Sequence, residues 1–218
     1  MPKPTRLQPE RGDARTRLLE AARDVIRTQG FAATTIDDLC VAAGVTKGAF
    51  FHHFKSKEAL GVAAAQYWID TTSALFAAAP YHAPDDPLER VLAYVEFRKG
   101  MIEGELPGFT CLVGTMTQET YETHPAIREA CAASIFGHAA TLEPDIQAAM
   151  DARGIAPDDW DATSLARHTQ AVIQGAFILA KASGDAETAR QTIGHLKRYI
   201  ELLFAPGPLT GSAKGEAG

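Results

Sequence analysis

Between residues 34 and 57 the chain gathers side chains suited to contact with a polyanion. Thr34, Thr35 and Thr46 are small hydroxyls, Lys47 and Lys57 are cations, His52 offers ring nitrogens, and Gly48 and Ala49 are too small to hold another surface away. Lysine reaches a phosphate or a guanine edge, and alanine can touch a thymine methyl. Phe50 and Phe54, four residues apart, share the opposite face of the same short helical segment and can hold it from behind. These residue types describe a helix anchored by aromatics that presents Thr46, Lys47, Gly48, Ala49, Phe51 and His52 to a nucleic-acid groove.

Other chemistries fare worse. His52 and His53 are adjacent, and neighbours on a helix diverge by about 100°, so they cannot readily chelate one ion. Cys40, Cys111 and Cys131 form no CxxC pair and no regular framework, which indicates neither a disulfide scaffold nor a zinc site. Glu119, Glu122 and His124 cluster beside Tyr121, but just ahead of Pro125 their simpler role is a solvated helix end. With no nucleophile–base pair, phosphate loop or metal spacing, no enzyme activity, metal or cofactor is expected.

The elements that must position the 34–57 segment follow from periodicity. Leu18, Leu19, Ala22, Val25 and Ile26 fall on one helical face, and Gly30 ends that helix. Thr35 and Asp38 form a weak capping-box variant ahead of Ile36, Leu39 and Ala43, a second short helix that Gly44 stops. Gly44 tolerates positive φ, and Val45 can plug the angle to the third helix. Ser56 then caps a long helix running through Trp68 to about Ala78.

Turn formers at 80–87, 106–108, 124–125, 154–161 and Gly184 delimit about nine helices, with a break near Glu143 imposed by Pro144. No sustained alternation of polar and β-branched residues suggests a strand. The expectation is an all-α fold: a flexible arm at 1–14, a three-helix helix-turn-helix domain at 15–56, a helical ligand-binding and dimerisation domain at 57–205, and a flexible tail at 206–218.

A net charge of -6 would argue against nucleic acid if it were evenly spread. It is not: residues 1–60 hold ten Lys/Arg against seven Asp/Glu, and the rest holds eleven against twenty. No stretch approaches the roughly 18 apolar residues of a membrane span, and the N-terminus lacks a signal-peptide core, so a cytoplasmic protein is expected.

The segment TTIDDLCVAAGVTKGAFFHHFKSKEAL, from Thr34 to Leu60, resembles the DNA-binding domain of the TetR family of bacterial regulators. The paired threonines, Ala43-Gly44-Val45, Lys47-Gly48, an aromatic at 51, His52, Phe54 and Ser56-Lys57-Glu58 stand at the family spacing. The resemblance implies that Thr35 and Thr46 contact phosphates at helix N-termini, that Lys57 clamps a phosphate from the start of the fourth helix, and that His52 sits at the groove. Phe51 departs from the common tyrosine and removes a phenol–phosphate contact.

About 150 further residues need another purpose. Ile193, Leu196, Ile200 and Leu203 follow a 3-4-3 spacing, and Leu165, Val172, Ala176 and Leu179 mark a partner helix joined to it at Gly184. Such a hairpin is expected to meet its symmetry mate as a four-helix bundle, although periodicity alone does not exclude stripes that face only the chain's own core. Gln174-Gly175-Ala176 looks like the family's dimerisation region. Trp68, Tyr94, Phe97, Met101, Phe109, Cys111, Met116, Tyr121, Gln174 and Phe177 are the candidates to line a cavity for a small apolar or aromatic effector. The function expected is a homodimeric repressor released from palindromic operator DNA by that effector. A DNA-binding activator that senses nothing, or an enzyme with an appended helix-turn-helix, are the alternatives.

Overall fold

The computed structural model describes residues 13–157 and 159–205. The expected tail lies outside the described residues, as does all of the expected arm except Asp13 and Ala14. Those two belong to the first helix: α1 spans Ala14–Gln29, and Asp13 caps it by accepting from the Thr16 amide at 2.8 Å. Three helices complete the N-terminal unit: α2 (Ile36–Ala43), α3 (Lys47–His53) and α4 (Lys57–Ala77). A 3-10 turn at Pro80–His82 leads to α5 (Pro87–Gly100), α6 (Leu106–Phe109), α7 (Leu112–Thr120), α8 (Pro125–Ala140) and α9 (Glu143–Ala152). The chain closes with α10 (Ala162–Ser183) and α11 (Ala186–Leu203), and no strand occurs among the described residues.

Local chemistry accounts for the boundaries. Thr35 and Asp38 make a complete capping box at α2, Gly44 ends that helix in the left-handed region at φ 62°, and the Arg17 guanidinium donates to the Ala43 and Gly44 carbonyls at 3.2 Å. A cation there satisfies the free carbonyls and opposes the negative end of the helix dipole. Pro144 at the first turn of α9 separates it from α8. The segment 106–108, expected only as a break, winds into the single turn of α6, one reason why eleven α-helical segments among the described residues stand against the nine or so expected.

The apolar side chains form two cores. One joins Leu18, Leu19, Ala22, Ile26, Leu39, Phe50 and Phe54 of the N-terminal unit to Leu60, Ala64 and Ala65 of α4. Leu112, Val113 and Met116 of α7 and Ile127 and Cys131 of α8 enter the same core, so the helix-turn-helix has no private interior. The other gathers α5, α9, α10, α11 and the far end of α4 through Phe76. The expected boundary at 56/57 therefore does not separate two cores, and α4 is a beam planted in both.

Helices α10 and α11 pack together around Gly184, but their regular stripes face inward. Leu165, Ala176, Ile193, Leu196 and Ile200 are buried in the chain's own core, and Val172 and Leu203 pack against it. Of the eight residues expected at a dimer interface, only Leu179 is exposed, at 50%. A clean 3-4-3 spacing marks the face that covers a continuous core, and that core proves to be the chain's own. The outward face carries Ile178, Leu179, Tyr199 and Leu202.

Candidate functional site

The third helix is presented as its sequence suggests. Phe50 is fully buried and Phe54 nearly so, while Thr46, Lys47, Gly48, Phe51 and His52 are exposed and Ala49 is half-buried. Thr46 caps the helix by accepting from the Ala49 amide at 3.1 Å, and Phe51 stands edge-on to Phe50 with its ring in solvent. Lys47 pairs with Asp37 at 2.8 Å, tying α3 to α2, and the Asp37 hydrogen bond raises the Lys47 pKa. Thr35 Oγ1 accepts from the Asp38 amide at 3.1 Å and donates to Asp38 Oδ2 at 2.8 Å. The Thr35 backbone N–H and then its hydroxyl hold the Asp38 carboxyl below its ordinary pKa.

Two residues expected at the DNA are engaged within the chain. Thr34 is 1% exposed, and its hydroxyl donates to the Gly30 carbonyl at 2.6 Å, closing the turn after α1. Lys57 donates through Nζ to the carbonyls of Phe31 (2.9 Å), Ala32 (3.3 Å) and Thr34 (2.9 Å) and stands 4.6 Å from the centroid of the Phe31 ring. An ammonium has three protons, so all are engaged within the chain. In the DNA-free chain Lys57 staples the loop between α1 and α2.

That loop is gripped from the other side by a residue expected to be solvated. Glu119 Oε2 in α7 accepts from the Ala32 amide at 2.7 Å, and its carboxylate fills the space that a Cβ on Gly30 would need. Gly30 is also at φ 87°, so both conformation and crowding require glycine there.

Behind the helix-turn-helix lies a cavity of about 810 Å³, within the range of small-molecule sites. Trp68, Met101, Phe109, Cys111, Gln174 and Phe177 line it as expected. Tyr94, Phe97, Met116 and Tyr121 do not. Tyr94 and Met116 are fully buried as core, Phe97 packs against the C-terminal core edge-on to Phe76, and Tyr121 is 56% exposed at the surface. Residue type cannot distinguish a core residue from a wall residue, because the same apolar side chains serve in both and only packing decides which border the void.

Apart from Gln174, the larger polar groups of the wall have no signal in the sequence pattern: Arg23 and Arg27 from α1, Arg98 from α5, His138 from α8 and Gln170 from α10. Arg27 donates to the Gly108 and Thr110 carbonyls at 3.1 and 3.3 Å, pairs with Asp24 at 3.2 Å and lies over the Trp68 ring at 5.4 Å. Desolvation lowers its pKa. Around Arg98 runs a connected network: the Tyr94 hydroxyl lies 2.9 Å from His138 Nε2 and receives hydrogen bonds from Arg98 Nη1 at 3.1 Å and Gln170 Nε2 at 2.9 Å. Burial first, and then the Arg98 charge, pushes the His138 pKa down to about 4. His138 is therefore neutral near pH 7, and with the tyrosine oxygen already accepting twice, the Tyr94 O–H donates to His138 Nε2.

Comparison with known proteins places this geometry. Residues 18–64 match the family model of bacterial regulatory proteins of the tetR family, and residues 87–196 match that of the tetracyclin repressor-like C-terminal domain. The HTH-type transcriptional regulator YerO of Bacillus subtilis is 42% identical over 57 residues, 26% of this chain and 20% of that protein. The HTH-type transcriptional repressor DhaR of Mycobacterium is 29% identical over 118 residues, 54% of this chain and 58% of that one. The matches thus span about a fifth and under three fifths of these relatives. A TetR transcriptional regulator from Chloroflexus aurantiacus superimposes with a TM-score of 0.72 at 27% identity, over 86% of this chain and 94% of its own. Both halves of the molecule agree, and the chain belongs to the tetR family of bacterial regulatory proteins.

Proposed function

We propose that this regulator binds palindromic operator DNA as a homodimer and is released when a small molecule fills the cavity. One observation carries the reading: α1 and α4, which build the DNA-facing unit, also wall the cavity through Arg23, Arg27, Trp68, Thr72 and Phe76. A ligand that moves these side chains acts directly on the helices that hold α3. Repression is favoured by DhaR, a transcriptional repressor.

The DNA face consists of Thr35, Thr46, Lys47, Gly48, Ala49, Phe51 and His52. Gly48 supports it in a specific way. A Cβ there would meet only Thr46 Oγ1 at 3.7 Å, an ordinary contact, so the chain's own packing does not require glycine. A groove approaching the backbone closely would. In the bound state Lys47 exchanges Asp37 for a phosphate or a guanine edge.

The dimer face is the outward side of α10 and α11: Gly175, Ile178, Leu179, Tyr199 and Leu202. Glycine inside a helix costs about 1 kcal/mol relative to alanine. A Cβ on Gly175 would meet nothing within 4 Å, so its own fold gives no reason for it, whereas close approach of a second copy's helix does. Two α3 helices would then lie roughly 34–36 Å apart, one DNA turn.

Fluorescence anisotropy on a DNA fragment from the region upstream of the chain's own gene tests the DNA face. Lys47→Ala should weaken binding and reduce the salt slope by about 1. Unchanged affinity and salt slope for this variant would refute the assigned face.

A further inference from the structure

We infer that the cavity selects a carboxylic acid, an amphiphile whose single carboxylate pairs with Arg98 and whose aromatic or aliphatic body lies along the apolar wall. This inference rests on the reading of the cavity as an effector site.

The charge on the wall is one-sided. Arg23, Arg27 and Arg98 line the cavity with His82 and His138, and no Asp or Glu is among the lining residues, although the whole chain carries a net charge of -6. Arg23 and Arg27 share a single carboxylate, Asp24, at 2.7 and 3.2 Å, so each already has an anionic partner although the pair keeps one net positive charge. Arg98 has no carboxylate partner among the described residues. Its guanidinium lies near the rings of Phe76, Tyr94 and Phe177 at 5.2, 5.9 and 6.0 Å, which hold the cation at the cavity wall without neutralising it.

The surrounding groups leave that cation available. Arg98 makes hydrogen bonds through Nη1 to the Tyr94 hydroxyl and, at 3.4 Å, to His138 Nε2, whereas Nε and Nη2 donate to no described residue. Tyr94, Gln170 and the neutral His138 are all dipoles, and together they fix one edge of the guanidinium in place. The remaining donors match a planar carboxylate, and pairing a guanidinium with one yields a short, charge-assisted contact. Arg98 is the arginine of the wall with no carboxylate of its own among the described residues, and its planar fork matches a carboxylate. Phe76, Phe177, Met101, Phe109 and Trp68 supply the apolar remainder.

The test uses the full chain with Trp160→Phe, leaving Trp68 as the sole indole reporter in the cavity wall, since Trp160 packs on Phe204 elsewhere. Decanoate and 4-phenylbutyrate are titrated beside their primary amides. The expected result is at least tenfold tighter binding of the acids, lost in Arg98→Gln while amide affinity is kept. Equal or tighter binding of the amides, or no saturable binding of either acid up to millimolar concentration, overturns the inference. Because the acid–amide comparison is made with Arg98 intact, it stands even if Arg98→Gln fails to fold. Operator binding is followed in parallel: release by the amides alone would support the effector reading and still sink the carboxylate.

Discussion

Lys57 and His138 show how the surroundings of a side chain set its role. Lys57 holds three loop carbonyls, so Lys57→Met should destabilise the fold by roughly 2–3 kcal/mol in urea denaturation, the range for a charged hydrogen-bond network. A phosphate clamp would instead lose operator affinity at unchanged stability. His138 gives a pH dependence whose sign can be worked out. Its pKa is pushed to about 4 in the native state by burial and then by Arg98, with Tyr94 the other titratable group in hydrogen-bond contact. The unfolded chain takes up a proton near pH 6.5, and the native chain does not. Its contribution is therefore complete above pH 6.5 and is lost as pH falls toward about 4, up to roughly 3 kcal/mol in all. Denaturation midpoints measured across that window should fall in the unmodified chain and fall less in His138→Gln.

Among the helices, α4 carries the most. Its N-terminal half lies in one core, Phe76 near its other end lies in the second, and between them Trp68 and Thr72 face the cavity. The close approach of α4 to α8 depends on Gly61, where a Cβ would stand 2.9 Å from both Ile127 Cδ1 and Phe31 Cε2. Gly61→Ala must displace the Ile127 and Phe31 side chains from a packed core, and a thermal melt should show a loss of about 1–3 kcal/mol, the usual penalty of overpacking. A neutral result would mean that this crossing is looser than its geometry. Helix α3, by contrast, is only seven residues long and owes its position to Phe50 and Phe54 beneath it.

For the molecule as a whole, the proposed dimer face predicts that substitutions on the inward and outward sides of α10 and α11 act differently, the first on folding and the second on assembly. Ile193→Ala opens a cavity in the chain's own core and should cost about 2–5 kcal/mol of stability without a specific effect on assembly. Leu179→Glu with Leu202→Glu changes exposed side chains and should leave the monomer folded while shifting light-scattering mass from dimer to monomer. A dimer that survives the double substitution would place the interface elsewhere.

The DNA-reading unit was legible along the chain because its determinants are local. Caps three residues apart, a glycine at positive φ and two phenylalanines one turn apart act over a few bonds, and Thr35, Gly44, Thr46, Phe50 and Phe54 occupy their expected places. The all-α class and the break at Pro144 followed from equally short-range rules. What depended on contacts between distant segments could not be read this way. The carbonyls that hold Lys57 lie 23 to 26 residues away, the Ala32 amide that Glu119 accepts lies 87 away, and Gln170 meets Tyr94 across 76 residues. Periodicity reports that a helix has an apolar face but not which body covers it, which is why the dimer stripe proved to be core. The same limit left the cavity's arginines unseen, since a cation on a helix looks solvated until packing shows what surrounds it.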